Sequence, residues 1–151
     1  MIADYQFGRG AGDSLFSDAA AVEIKRSSSG RPRQVIASDG RLVTLGSDGR
    51  FTLGFAGGVR LVDGLDAPAY RVGVGDESEP FVRDGSNAFA KFVQSVDPAI
   101  RPGDEVLVTS EDSSTLLGVG RAELSATAMT DFASGVAVSI REGRDDWAED
   151  E

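Results

Sequence analysis

A turn, followed by two glycines inside a predicted strand, constrains this chain more than any other sequence feature. Pro102-Gly103-Asp104 is a turn sequence, because proline fixes φ and glycine tolerates a positive φ. Residues 105–109 alternate polar and apolar side chains, and the polar segment 111–114 precedes a second apolar run over 116–123. The pattern predicts two short strands joined by a polar hairpin loop.

Gly118 and Gly120 lie one residue apart inside the second of these strands. Glycine weakens a strand, because its backbone loses more conformational entropy on folding than that of other residues and because it has no side chain to pack. We therefore expect a close backbone approach at this place, or a bend at the corner of a barrel.

The rest of the chain shows short strand patterns separated by turns, among them the hairpin signal Asp39-Gly40. Strands are predicted near residues 22–24, 34–37, 42–45, 51–55, 69–74, 81–82 and 136–141, and short helices over 15–20, 59–65, 87–93 and 125–132. The fold class is mainly β with short helices (α+β).

Charge is distributed unevenly along the 151 residues. Residues 1–70 hold 8 acidic and 8 basic side chains, whereas residues 71–151 hold 17 acidic and 7 basic ones. This step predicts two domains that meet near Ala67-Pro68. Residues 145–151 form an acidic tail, with Trp147 as its one apolar anchor.

The chain contains no cysteine and no histidine. These absences remove thiolate nucleophiles, imidazole bases and the usual zinc ligands, so we expect no catalytic residue, no metal and no cofactor. No run of about 18 apolar residues and no signal-peptide pattern is present, so a cytoplasmic protein without membrane contact is expected.

The net charge is −10, and Lys25 and Lys91 are the only lysines beside 13 arginines. Excess charge can simply keep a protein soluble. Acid excess together with scarce lysine also indicates a halophile, in which carboxylates replace lysines on exposed surfaces. In that case the acidity of the whole chain does not exclude an RNA partner.

Residues 83–87 and Lys91 hold the strongest candidates for a binding site. If a helix begins after Gly85, the segment offers a cation, a glycine that allows close approach, and free N–H groups. Lys91 lies four residues after Asn87, hence on the same helical face. A helix cap and a solvated lysine are the structural alternative, and Phe89 and Phe92 are expected in the core.

Three other parts of the sequence are weaker candidates for a binding site. Residues 8–12 contain three glycines but lack the Gly-Lys-Ser/Thr ending of a phosphate-binding loop, so we expect a flexible turn. The loop between Lys25 and Arg33 carries four cations, which suit either a solvated hairpin or a phosphate. Arg121 and Arg141 can line a groove or pair with local acids.

Seven sequence segments, spread over nearly the whole chain, carry a family resemblance. They are residues 5–8 (YQFG), 30–33 (GRPR), 48–53 (DGRFTL), 89–93 (FAKFV), 102–106 (PGDEV), 118–122 (GVGRA) and 135–138 (GVAV). In this order they resemble the C-terminal region of archaeal tRNA-guanine transglycosylases and related archaeosine-pathway proteins. The transglycosylase barrel and its cysteine-histidine zinc site have no counterpart here.

The resemblance implies a small antiparallel-sheet domain over residues 1–68, followed by a PUA domain, an RNA-binding pseudo-barrel, over 69–144. It implies a protein that binds RNA, tRNA in particular, and does not catalyse a reaction by itself. It acts alone or beside a tRNA-modification enzyme. The implied RNA-binding residues are Arg83, Gly85, Ser86, Asn87, Lys91, Gly118, Gly120, Arg121 and Arg141.

Two other classes of function stay open at this point. One is a subunit that binds only proteins, and the other is a small enzyme that uses carboxylates alone. No pair of carboxylates lies at opposed strand ends in the predicted elements, and Asp76-Glu77 and Asp145-Asp146 are typical of solvated surface. Salt-dependent binding of tRNA would separate RNA binding from both alternatives.

Overall fold

The computed structural model describes residues 6–7, 10–15, 23–26, 32–37, 40–45, 50–65, 69–112, 115–131 and 135–145. The chain divides into two compact units, Met1–Asp66 and Ala67–Glu151. In the described part, no helix is both long enough and apolar enough to cross a membrane.

The first unit contains a four-stranded antiparallel meander in the order β1-β2-β3-β4. Its strands are β1 (Glu23–Arg26), β2 (Pro32–Ala37), β3 (Gly40–Leu45) and β4 (Phe51–Leu53), and its helices are α1 (Ala11–Leu15) and α2 (Phe55–Gly64). Leu42, Leu53, Phe55 and Leu61 are fully buried, and α2 packs against β3. Apolar residues of the strands and of the helices α1 and α2, Ala11 and Leu15 of α1 among them, thus form the core.

The helices α1 and α2 both begin before their predicted positions. Gly57 and Gly58 were expected to open a helix over 59–65, yet they lie inside α2. A Cβ at Gly57 would lie 2.0 Å from the carbonyl oxygen of Leu42, so glycine lets α2 pack directly on β3. Helix α1 ends at Leu15, where the predicted helix began, and residues 16–20 lie outside the described part.

The second unit is a six-stranded sheet in the order β6-β10-β9-β8-β5-β7, and only β5 and β8 are parallel. Its strands are β5 (Arg71–Val74), β6 (Ala88–Phe89), β7 (Val93–Val96), β8 (Glu105–Ser110), β9 (Leu116–Ala122) and β10 (Val136–Gly143), and its helices are α3 (Glu79–Arg83) and α4 (Ala126–Asp131). The two edge strands are joined by one 3₁₀ turn, Ala90–Phe92, so the sheet curls into a nearly closed barrel. The predicted fold class is confirmed.

The hairpin that follows Pro102 is confirmed. Gly103 has φ of 92°, and a carboxylate oxygen of Asp104 accepts a hydrogen bond from the N–H of Arg101 at 2.9 Å, so Asp104 stabilises the turn. β8 and β9 pair antiparallel, with Glu105 opposite Arg121.

The prediction for residues 81–93 was wrong. Residues 81–82 belong to helix α3, which has proline in its first turn, and residues 88–96 form β6, the 3₁₀ turn and β7 instead of a helix. The spacing of Phe89, Phe92 and Val93 suits a 3₁₀ turn almost as well as an α-helix. Pairing of β6 with β10 decides the outcome, because it occupies the backbone of residues 88–89.

The predicted helix near residue 125 is confirmed as α4, over Ala126–Asp131. The hydroxyl oxygen of Ser125 accepts a hydrogen bond from the N–H of Ala128 at 3.2 Å, so Ser125 is its N-terminal cap. Of the acidic tail, only Asp145 lies within the described residues.

Candidate nucleic-acid interface

A groove of about 590 Å³ opens beside helix α3 of the second unit. We call it the α3 groove. Its lining residues come from the start of α3, the loop behind it and the turn between β6 and β7: Ser78, Phe81, Gly85, Ser86, Asn87, Phe89, Lys91 and Phe92. Four residues predicted as RNA contacts, Gly85, Ser86, Asn87 and Lys91, are therefore brought together by the fold.

The loop behind α3 is held by its own backbone. The N–H groups of Asp84, Gly85 and Ser86 donate to carbonyl oxygens of residues 80, 82 and 81, at 3.2, 2.9 and 2.9 Å. Gly85 has φ of 98°, a conformation that favours glycine. The loop therefore follows a helix C-terminus, and the prediction of free N–H donors at a helix N-terminus was wrong.

Asn87 connects this loop to the barrel. Its side-chain oxygen accepts a hydrogen bond from the N–H of Ile140 on β10 at 3.0 Å. This contact fixes one wall of the α3 groove, because it ties the loop to a strand of the sheet. Asn87 thus has a structural role here in addition to lining the groove.

Two aromatic side chains stand out at the α3 groove. Phe81 is 63% exposed and Phe89 is 43% exposed. Phe89 was expected in the core, and this was wrong, because in the strand β6 it is Ala88 that is buried while its neighbour Phe89 is exposed. Phe81 was missed altogether. Its signal was a lone aromatic residue in a polar segment, with no apolar neighbours at helical spacing on the N-terminal side.

Lys91 supplies the positive charge of the α3 groove. Its Nζ lies 5.0 Å from the ring centroid of Phe92, a cation–π contact that holds the ammonium at the groove wall. Within the described ranges no carboxylate forms an ion pair with Lys91. The charge is therefore available to an anionic ligand.

Arg83 lies outside the groove lining. Its guanidinium bonds the carboxylate of Asp145 through Nε at 3.1 Å and Nη2 at 3.0 Å, and both side chains are more than 40% exposed. The pair offsets the charge of Arg83 at the C-terminal end of α3. An exposed ion pair of this kind opens easily, so Arg83 can still reach a ligand nearby.

Arg141 forms an ion pair with a local acid. This is one of the two alternatives predicted for it, the other being a place in the lining of a groove. It binds Glu105 through two hydrogen bonds of 2.6 and 2.8 Å, and the Glu105 side chain is only 6% exposed. The pair joins β8 to β10, the two neighbours of β9. Arg141 therefore stabilises the barrel.

The predicted contact along β9 is not supported at its glycines. β9 lies between β10 and β8, and Gly118 and Gly120 are buried. A Cβ at Gly120 would lie 2.1 Å from the carbonyl oxygen of Ser139. The close backbone approach that the sequence predicted is therefore real, and its partner is β10 rather than a ligand. Arg121 alone in this stretch points to solvent.

A second groove, of about 580 Å³, is acidic. Its lining includes Asp76, Glu79, Glu111 and Asp112. Burial raises the pKa of Glu79 above its ordinary value, and a hydrogen bond and negative charge from Asp76 add to the effect. Carboxylates repel phosphate, so this groove is unsuited to RNA, whereas the α3 groove carries a cation. No cluster of three or more potential metal ligands occurs among the residues that the structure describes.

Two other predicted features lie partly outside the described residues. Gly10, with φ of 92°, precedes α1, but Gly8 and Arg9 are not described. Lys25 and Arg26 belong to β1, while nothing is described of the side chains of the basic loop that ends at Arg33. The roles of both segments stay predictions.

Comparison of the sequence with protein-family models gives one match for each of the two compact units. Residues 1–68 match the patch-forming domain C2 of tRNA-guanine transglycosylase, and residues 70–144 match the PUA domain. The first unit thus belongs to the C2 family and the second to the PUA family, whose domains bind RNA.

The sequence is also similar to particular archaeal proteins. It is 47% identical over 144 residues to the tRNA-guanine(15) transglycosylase of Methanothermobacter thermautotrophicus, covering 95% of this chain and 22% of that protein. It is 48% identical over 143 residues to the enzyme of that name from Pyrococcus furiosus, covering 94% and 24%. The match is to the C-terminal region, so the chain spans less than a quarter of these relatives.

Solved structures show the same fold. A hypothetical protein from Pyrococcus horikoshii superposes with a TM-score of 0.71 at 20% identity, over 94% of this chain and 85% of that one. A conserved PUA domain protein from Thermoplasma acidophilum gives a TM-score of 0.56 at 23% identity, over 81% and 75%. The barrel is therefore of the PUA type, as the resemblance implied.

Proposed function

We propose that this chain is a non-catalytic RNA-binding protein that binds tRNA through the α3 groove. It acts alone or as an accessory to an archaeosine-type tRNA-modification enzyme. One observation carries the proposal: close to half of the residues are identical to the C-terminal region of tRNA-guanine(15) transglycosylases, over nearly the whole chain.

The chemistry of the α3 groove supports RNA rather than a protein partner. Single-stranded RNA is bound by aromatic faces that stack on bases and by cations that meet phosphates. Phe81 and Phe89 offer the aromatic faces, and Lys91 offers the cation. Gly85 and Ser86 are small, so a backbone can approach the loop closely.

The proposed contacts differ in part from those that the sequence predicted. Gly85, Ser86, Asn87 and Lys91 stay in the site, and Arg83 and Arg121 are proposed at its periphery. Gly118, Gly120 and Arg141 leave it, because packing and an ion pair with Glu105 already account for them. Phe81 and Phe89 join it.

The charge of the chain supports a proposal about its setting. Scarce lysine with a net charge of −10 suits a protein of a halophilic archaeon that works in the cytoplasm. In concentrated salt, phosphate contacts weaken steeply, whereas stacking on aromatic rings depends little on salt. A groove with two exposed phenylalanines and a single lysine fits such a solvent.

Reversal of the groove charge tests this function. Lys91→Glu should lower tRNA affinity on the order of tenfold at low salt, because it replaces an attraction for phosphate by a repulsion. The slope of log affinity against log salt should fall by about one. The measurement is a salt titration of tRNA binding to the parent and the variant, with circular dichroism to verify folding.

Arg101→Glu is the matched control. Arg101 is an exposed cation of the same unit that does not line the α3 groove, so its reversal makes the same change in net charge elsewhere. It should alter the affinity much less than Lys91→Glu. Equal effects of the two variants, or no tRNA binding by the parent, would remove the α3 groove as the interface.

A further inference from the structure

The floor of the α3 groove contains a buried hydroxyl that no described group binds. Ser78 is 4% exposed and lines the groove, and its Oγ has no hydrogen-bond partner among the residues that the structure describes. Burying a hydroxyl without a partner costs free energy, so such a group in a folded protein calls for a reason.

The position of Ser78 makes the unused hydroxyl more unusual. Ser78 immediately precedes α3, where a serine ordinarily caps the helix by accepting a hydrogen bond from the backbone. Here no such side-chain bond exists, and the backbone is αR, with φ of −96° and ψ of −12°. The carbonyl oxygen of Ser78 accepts from the N–H groups of Phe81 and Val82 instead, both at 3.1 Å.

The main chain of Ser78 is also fixed on its other side. Its N–H donates to the carbonyl oxygen of Gly75 at 3.0 Å. Both backbone groups are therefore occupied and the Ser78 main chain is fixed, while rotation about the Cα–Cβ bond can still turn the hydroxyl toward the groove that Ser78 lines. A ligand in the α3 groove can then meet the hydroxyl after this rotation.

The surroundings of the hydroxyl indicate the class of ligand. Phe81, Phe89 and Phe92 line the same groove and provide apolar ring surface. Among the described residues of the lining, Lys91 is the one cation and none is a carboxylate. A flat, mostly apolar group with a polar edge fits these walls, and a base of an unpaired nucleotide has that form.

We propose that Ser78 is a ligand-binding residue: its hydroxyl hydrogen-bonds the polar edge of an unpaired RNA base that lies against the phenylalanines of the α3 groove. This inference rests on the proposed RNA-binding function and specifies what enters the groove. A hydroxyl both donates and accepts, so it can satisfy either kind of group on a base edge. In a blunt duplex that edge is occupied by base pairing, so the hydroxyl of Ser78 forms no hydrogen bond with it.

The test compares Ser78→Ala with the parent in binding a short single-stranded RNA and a blunt RNA duplex of equal length. The variant should bind the single strand about five-fold more weakly, the loss expected for one hydrogen bond. Duplex binding should not change. The salt slope should not change for either RNA, since no charge is removed.

A control variant and a stability measurement separate binding from structure. Ser139→Ala removes a hydroxyl outside the groove, one that donates to Glu123 at 2.9 Å, and should leave both affinities unchanged. The thermal midpoint of Ser78→Ala should equal or exceed that of the parent, because the lost hydroxyl makes no bond in the free protein.

Three results would overturn the inference: equal single-strand affinity of Ser78→Ala and the parent, an equal loss for strand and duplex, or a thermal midpoint lowered by several degrees. The last would show a structural hydroxyl. If Lys91→Glu weakens tRNA binding while Ser78→Ala does not weaken single-strand binding, the proposed function stands and only the role of Ser78 fails. If the parent binds no RNA, both fail.

Discussion

At the scale of the residue, the close backbone approach predicted at Gly120 is present, but its partner is a strand of the barrel and not the RNA that was expected. The place of Gly120 inside a strand predicted a close backbone approach, and β10 makes that approach from within the barrel. Gly118 is less confined, since its nearest potential contacts lie at 3.2 Å. The two glycines therefore differ in what they tolerate.

Gly120→Ala should lower the free energy of unfolding by about 2 kcal/mol or more, because its Cβ would meet backbone atoms of Ser139 that cannot move alone. Gly118→Ala should cost less, since the atoms nearest to the added Cβ lie at 3.2 to 3.3 Å and need to shift only slightly. Urea unfolding of both variants measures the difference. A larger loss for Gly118→Ala would contradict this account of the packing.

At the scale of the element, an ion pair joins β8 to β10 across β9. Glu105 on β8 is nearly buried, and Arg141 on β10 is 31% exposed, so their two hydrogen bonds satisfy a carboxylate with little access to water. A buried carboxylate that loses its partner is costly, whereas a hydrophobic pair of similar volume is not.

Arg141→Met should therefore lower the free energy of unfolding by about 2–3 kcal/mol, because Glu105 keeps its charge and loses that partner. The double variant Glu105→Met/Arg141→Met should recover most of the loss. Urea unfolding of the two variants and the parent measures both effects. RNA affinity should change little in the folded variants, and a loss as large as that of Lys91→Glu would return Arg141 to the interface.

At the scale of the whole molecule, we propose two domains, residues 1–68 and 69–144, followed by an acidic tail over 145–151. The step in charge near Pro68, the two compact units and the separate family matches support this division. Each unit has its own buried core, with Leu53 in the first and Val106 in the second. We therefore expect each domain to unfold with its own free energy of unfolding.

Calorimetry of the full chain should show two unfolding transitions that respond to different variants. Leu53→Ala should lower only one midpoint, since it leaves a cavity in the first core, at a cost of about 2–5 kcal/mol. Gly120→Ala should lower only the other. A single transition that both variants shift equally would contradict independent domains.

The sequence by itself determined the features that depend on local chemistry or on direct comparison. The Pro102 turn, the hairpin of β8 and β9 and the four-strand meander are set by residues close in the chain, where turn chemistry and period-two patterns act. The family resemblance rested on seven sequence segments that occur in the same order as in the family. Finding such a resemblance also needs no structure. Lys91 was found because lysine is rare in this chain.

Only the tertiary structure decided the shape of the site. Pairing of β6 with β10 overrides the helical spacing of residues 87–93, exposes Phe89 and brings Lys91 beside the loop that follows α3. Packing buries Gly118 and Gly120, an ion pair with Glu105 holds Arg141, and the buried hydroxyl of Ser78 has no hydrogen-bond partner among the described residues. Such outcomes depend on strands distant in sequence, so spacing along the chain could not reveal them.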